Sequence, residues 1–377
     1  MQPVRSDIDR PLGRNAPQGP RDRRPGWRDI LLTLCAVAVF AASGAIALRE
    51  RPYRQPVPVA VSEPHAAPQP ERSSAPRDAT PSITRLNPAA GSPGESVVIV
   101  RDPSALGQST LLAHLPDPEL VEETEFGPLP VRDAAGRRPF DHYARPWSGA
   151  RGARIAILIG GLGISQTGTQ EAIRKLPPEI TLAFAPLGNS LTRWMQTARR
   201  EGHEIMLQVP LEPFDDSAGG SGRHMLRAEA PAGEVLRELH WNLGRITNYT
   251  GVVNYMGARF TGDEGAMALL MEELRQRGLA YLDDGTSARS LAEEMAREKG
   301  VPFAAADTVI DGERTRDAIL DKLDALERTA RAGGFAIGSG SALDVTVDTV
   351  AAWAAEVRKR GIELVPVSAL ADDPEED

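Results

Sequence analysis

An α/β fold is predicted for residues 151–370, as a (β/α) barrel of seven or eight parallel strands, and three observations predict it. Short apolar runs rich in Ile, Val and Leu recur from residue 154 onward. Amphipathic stretches of helical period separate most of them. The turns that follow the runs are dense in Gly, Asp, Asn and Pro. Strands alternating with helices imply a parallel sheet joined by right-handed crossovers. So many units in so short a span fit a closed or nearly closed barrel better than an open sheet.

The strand-like runs are 154–159, 180–185, 203–209, 251–254, 279–282, 301–305, 334–338 and 362–367. Helical patterns cover 189–200, 232–246, 264–277, 287–299, 314–332 and 345–360. The preceding residues read differently. Residues 1–29 form a basic tail, and 30–48 form an uncharged apolar run with Arg21, Arg23, Arg24 and Arg28 just before it. A run of that length is enough to cross a bilayer as a helix. Its basic leader predicts a single-pass inner-membrane anchor with the N-terminus cytoplasmic and the C-terminal part periplasmic. A cleaved signal peptide is the competing reading. Residues 49–97 carry prolines throughout among Ala, Ser and Arg, the composition of an extended, disordered linker. Residues 98–150 read as a lead-in segment that wraps the barrel, with 97–100 a candidate short strand. Residues 371–377 read as a solvated acidic tail. Net charge is −9, which argues against a nucleic-acid partner. The single cysteine, Cys35, excludes an intrachain disulfide framework and a CxxC metal site.

Function in a barrel gathers where strands end. The first run passes into Gly160, Gly161, Leu162 and Gly163. Such a turn can cradle a phosphate, but Gln166 breaks the dinucleotide spacing, and a tight turn needing positive φ is the plainer reading. Glu212, held between Pro210 and Pro213, is a candidate catalytic or sugar-binding carboxylate, or a surface group on a stiff loop. His203 and Glu204 open that strand, a position that favours a structural role. Asn254, Tyr255 and Arg259 follow the fourth run and are candidates for contacting a sugar or an anion. Asp283 and Asp284 end the fifth run and suit acid–base work or a cation; helix capping by Thr286 or Ser287 is the alternative. Asp307 and Asp311 follow the sixth, and Asp307 is a candidate substrate contact. Zinc hydrolases usually include His among their ligands. His203, His224 and His240 do not sit where strands are expected to end, so an ordinary catalytic zinc site is not expected and no metal ligands or cofactor are assigned. An oxygen-only site for a divalent metal, built from Asp283, Asp284 and Asp307, belongs to the alternative, hydrolytic reading.

Residues 157–163, 181–184 and 202–213 carry a resemblance, continued at Asn254-x-Met256-Gly257, Leu282-Asp283-x-x-Thr286-Ser287, Ala336-Ile337-Gly338 and 364–368. In order and spacing the chain resembles the divergent polysaccharide deacetylase family. The resemblance implies an exported (β/α) barrel and, by analogy, removal of N-acetyl groups from sugars by metal-activated water. It also implies Asp-Asp where this chain has Gly160 and Gly161, and His where it has Gln208, Tyr255 and Ser339. With those groups gone, the means of making a metal hydroxide is missing. The expected function is a membrane-anchored periplasmic barrel that binds a cell-envelope polysaccharide or a protein partner without hydrolysis. The alternative is an active carbohydrate deacetylase whose carboxylates, Glu212 with Asp283, Asp284 or Asp307, converge in one cleft.

Overall fold

The structure, a computed structural model, describes residues 112–215 and 222–375. The expected basic tail 1–29, membrane helix 30–48, linker 49–97 and the first part of the lead-in lie outside those residues. Among the described residues no helix is long and apolar enough to cross a membrane.

A small antiparallel hairpin, β1 (Val121–Thr124) and β2 (Gly127–Pro130), and a short helix α1 (Pro139–Tyr143) precede the main body. There follow β3 (Arg154–Leu162), α2 (Gln166–Lys175), β4 (Thr181–Phe184), α3 (Leu191–Arg200), β5 (Ile205–Leu211) and α4 (Ala232–Leu243). Next come β6 (Gly251–Met256), α5 (Glu264–Arg277), β7 (Ala280–Asp283), α6 (Ala292–Lys299), β8 (Phe303–Ala305) and β9 (Thr308–Val309). The body ends with α7 (Arg316–Gly333), β10 (Phe335–Ser341), α8 (Asp344–Val357) and β11 (Glu363–Leu364). The helices α2, α5 and α7 begin on the side chains of Ser165, Asp263 and Thr315, which accept the amides of Gly168, Ala266 and Ala318.

The parallel sheet runs β8-β7-β6-β5-β4-β3-β10-β9, with β11 paired to the first residues of β3. It is a curled sheet, and its hydrogen-bonded path is open. The two ends of the path, β8 and β9, are consecutive in the chain. Only Ala306 and Asp307 separate them, and their amides donate to Asp283 O on β7 and Ile337 O on β10. One bent segment thus spans the seam in place of a ladder, which is why a sequence search for strand–helix units finds no separate β9.

Strand alternation sorts the side chains into two cores. In β3, Ile155, Ile157 and Ile159 face the helices, while Ala156 and Leu158 fill the inside of the curl with Ala183, Met206, Val253, Leu282 and Ile337. The N-terminal end of the strands is plugged. Val365 and Val367 join the inner core. The fully buried Glu204 accepts the amides of Arg145 and Ser368 and the hydroxyls of Thr181 and Ser368. Burial pushes the Glu204 carboxyl up, against the hydrogen bonds from Ser368. His203 lies with its ring nitrogens 2.9 Å from Ile180 O and 3.3 Å from Ile173 O, and burial pushes its pKa down. Both residues are structural, as their place at the strand start suggests. The sheet is therefore open for chemistry only at its C-terminal end.

The lead-in is fastened to this closed end. Arg199, buried on α3, donates to Ala113 O, Tyr143 O and His203 O, and Asn248 also donates to Ala113 O. The acidic end departs from the solvated tail expected of it. Asp373 is buried against Arg138, with Nη2 to Oδ2 at 2.5 Å, and Asp372 exchanges backbone hydrogen bonds with Phe303. The ion pair satisfies both buried charges where the segment packs back onto the body. Burial would raise the Asp373 carboxyl, but hydrogen bonds from Arg138 and the Glu375 amide hold it below its ordinary value. An Arg138→Ala variant, which strands that charge, is expected to lose about 3–5 kcal/mol in urea unfolding at neutral pH. Because the folded pKa is depressed, this stability is present above the unfolded Asp pKa, about 3.9, and disappears as pH falls through the folded value. The deficit of the variant should narrow over that acidic range.

Candidate binding cleft at the strand ends

A cleft of about 530 Å³ opens at the C-terminal ends of the strands. The inward-facing positions just beyond the inner core supply its floor: Gly160 on β3, Gln208 on β5, Tyr255 on β6, Asp284 after β7 and Ser339 on β10. These all share the parity of the inner core residues on their strands, so the cleft continues the inside of the curl.

Gln208 decides the chemistry of the floor. Its Oε1 accepts the Gly161 amide at 2.7 Å. A Cβ placed on Gly160 would stand 2.5 Å from Gln208 Nε2 and 3.1 Å from Cδ. The side-chain amide therefore occupies the volume that a side chain at 160 would need. Gly161 takes a φ of +80°, a conformation glycine reaches freely. Glycine at 160 and glutamine at 208 fit one another, as a matched pair.

Around them stand three carboxylates. Asp284 is partly buried, accepts the Thr286 amide and hydroxyl, and has its own amide bonded to Asn254 Oδ1 at 2.9 Å. Burial pushes the Asp284 carboxyl above its ordinary value, against the hydrogen bonds from Thr286. Asp311 is buried and accepts the Ser341 amide at 2.7 Å and the Thr346 hydroxyl at 2.9 Å. Asp215 lines the mouth. Ser339 Oγ donates to Asp284 O at 3.2 Å, so this hydroxyl is engaged as a brace. Asn254 is buried, and its amide donates to Met256 O at 2.8 Å. That bond holds Met256 at a φ of +58°, where a side-chain-bearing residue is uncommon. Strain of this kind gathers at functional sites. Tyr255, beside it, is 51% exposed on the rim.

Of the residues expected from the sequence, the cleft thus unites Asn254, Tyr255 and Asp284. It does not take in the others. Glu212 is buried 3.3 Å from Arg259 Nη1 and accepts the Ala228 amide, so it anchors the loop after β5. Arg259 is shared between Glu212 and Glu229, and it too stays outside the lining. Asp283 has the parity of Tyr281, which packs toward the helices. Its carboxylate accepts the Ser290 hydroxyl and the Gly285 amide. Asp307 accepts the Ile337 amide and lines a different hollow, with Phe303 and Phe335. The convergence of Glu212 with Asp283, Asp284 or Asp307 needed for carboxylate hydrolysis is absent from this arrangement. Asp311, placed by the sequence after the sixth run but given no role there, and Asp215 belong to the cleft as well. The preference for Asp311 over Asp307 becomes legible only once β9 is known to end at Val309, two residues before Asp311.

A metal of the kind the resemblance implies does not fit these donors. The positions read glycine, glycine, glutamine, tyrosine and serine. Among the described residues no three His, Cys, Asp or Glu side chains gather where they could hold one ion.

The sequence matches the divergent polysaccharide deacetylase family over residues 157–371. An uncharacterized protein of Agrobacterium tumefaciens, known as a crystal structure, is 54% identical, with a TM-score of 0.64; the match covers 65% of this chain and 99% of that one. An uncharacterized protein of Haemophilus influenzae is 26% identical over 188 residues, 50% of this chain and 66% of its own length. The uncharacterized protein YibQ of Escherichia coli is 23% identical over 224 residues, 59% of this chain and 69% of its own.

Proposed function

Since the chain belongs to the divergent polysaccharide deacetylase family, we propose that it keeps the family's curled sheet as a binding module and does not hydrolyse its ligand. It is anchored in the inner membrane by residues 30–48 and presents its cleft in the periplasm, to a cell-envelope polysaccharide or a protein partner. The observation that carries this reading is the Gln208 amide, hydrogen-bonded to Gly161 and filling the space above Gly160. A hydrolytic family member needs a nucleophile generated at this spot, and here a neutral amide closes it.

Asp284 favours a second reading, as a carboxyl raised by burial is suited to proton transfer. Acid–base hydrolysis needs a second carboxylate with a complementary task. Asp311 is another carboxylate of the lining, and its Oδ2 already accepts from the Ser341 amide and the Thr346 hydroxyl, which hold it as a structural acceptor. Binding is the better supported role.

Loading the purified full-length chain with zinc, manganese or cobalt and then desalting it tests the reading. No retained metal is expected. Near-stoichiometric retention that disappears in Asp284→Ala would restore a hydrolytic centre and sink the binding-only role.

A further inference from the structure

The seam of the curled sheet leaves two strand edges unfinished at the closed end. On β8, Phe303 exchanges backbone hydrogen bonds with Asp372. On β10, Ile337 accepts the Asp307 amide on its carbonyl and donates its own amide to Asp307 Oδ2. Backbone groups two residues apart on a strand point the same way. Ala305 and Phe335 therefore turn their amides and carbonyls into the seam, where neither has a partner among the described residues. Between these edges lies a hollow of about 230 Å³, lined by Phe303, Ala305, Phe335, Ile337 and Leu370 among others. Phe335 is 44% exposed on its edge. A free strand edge beside an apolar hollow is a template for one more strand.

We propose that Val97-Val98-Ile99-Val100 of this same chain docks in the hollow as that strand, pairing with the Phe335 backbone and covering its ring. The run is wholly apolar and β-branched, the composition of a strand covered on both faces. Its reach is sufficient. Ala113 is held at the closed end by Arg199 and by Asn248, just ahead of β6. In the sheet β8 is two strands from β6, about 10 Å away. Residues 101–111 join the run to the described chain and extend to about 40 Å at most. The lead-in already passes the rim of the hollow, where Arg138 pairs with Asp373 beside Asp372. The far end of the chain, Glu376 and Asp377, is acidic and does not suit an apolar hollow. Docked there, the run also fixes where the chain before residue 97 leaves the body, at the end opposite the cleft. Whether the cleft binds or hydrolyses has no bearing on this docking.

Hydrogen exchange read by mass spectrometry on the full-length chain tests this docking. The amides of 97–100 are expected to exchange at least about tenfold more slowly than those of an open chain. Phe335→Ser should return them to the open-chain rate. The double variant Val98→Asp/Ile99→Asp should speed exchange about tenfold in peptides covering Ala305 and Phe335, while the amides of β5 stay as slow as before. Val59→Asp, in the proline-rich stretch, should change none of this. Open-chain exchange across 97–100, or protection there that Phe335→Ser does not remove, would overturn the docking. So would protection that grows only as a dimer forms at higher protein concentration, since a second copy would then be the occupant. A disulfide gives an independent reading. In a Cys35→Ser background, Phe335→Cys should cross-link within one chain to Val98→Cys or Ile99→Cys, and not to Val59→Cys. Failure of both pairs to cross-link would likewise overturn it.

Discussion

Gly160→Asp is expected to lower stability by about 1–3 kcal/mol, and the loss should shrink markedly when Gln208 is already Ala. The reason is steric and polar at once. The new Cβ would stand 2.5 Å from Gln208 Nε2. Glutamine is flexible enough to swing aside, so the collision alone is cheap. Moving it breaks the 2.7 Å bond from the Gly161 amide, leaving that donor without its partner. With Gln208→Ala the bond is already gone and the space is vacant, so the aspartate side chain introduced beside it adds little further harm. A double-mutant cycle by urea unfolding reads the coupling directly. Strictly additive losses would mean that Gly160 and Gln208 are unrelated replacements, and the floor of the cleft would need another explanation.

A large stability effect is expected at the other end of the sheet. Glu204→Ala should lose about 3–5 kcal/mol, since it removes a buried carboxyl from a set of groups that all donate to it and leaves those donors unsatisfied. Those donors are the amides of Arg145 and Ser368 and the hydroxyls of Thr181 and Ser368. They come from three parts of the chain: lead-in, β4 and the segment after β11. Loss of the carboxyl unfastens all of them from one another and removes an acidic group that favours the charge on Arg199. Thermal unfolding with far-ultraviolet circular dichroism measures this. A change in midpoint as small as that of an ordinary surface variant would show that the plug closes the strands without Glu204.

Much of the body was legible from the chain because its strands are buried on both faces. Runs such as 154–159 and 205–209 are almost wholly apolar, and long helices such as α7 have a clear apolar stripe. Helix α2 was missed, since Gly168 and Thr169 take two of its four buried positions and only Ala172 and Ile173 mark the stripe. Strand β9 was missed because it is two residues long and no helix precedes it. The hairpin β1–β2 was missed because Pro128 and Pro130 mask its pattern.

The site was legible in its positions but not in its pairings. Asp283 and Asp284 differ by one residue, and a shift of one residue exchanges the faces of a strand. Which of them enters the cleft is set by the register of β7 against β6 and β8, and no local signal reports it. Glu212 has the parity of Gln208, but the chain turns after Leu211, and Arg259 from the next unit claims the carboxylate. Asp373 looked like part of a solvated tail because its partner, Arg138, is far away in sequence. Contacts of this sort belong to tertiary structure, and single-residue chemistry cannot reveal them.

The most direct measurement is acetate release from N-acetylated glycan fragments by the full-length chain, with zinc, manganese or cobalt supplied in excess. No release above the uncatalysed background is expected, and Asp284→Asn should behave as the unmodified chain does. Metal-dependent release that Asp284→Asn abolishes would contradict the closed floor at Gln208 and return this curled sheet to the hydrolases.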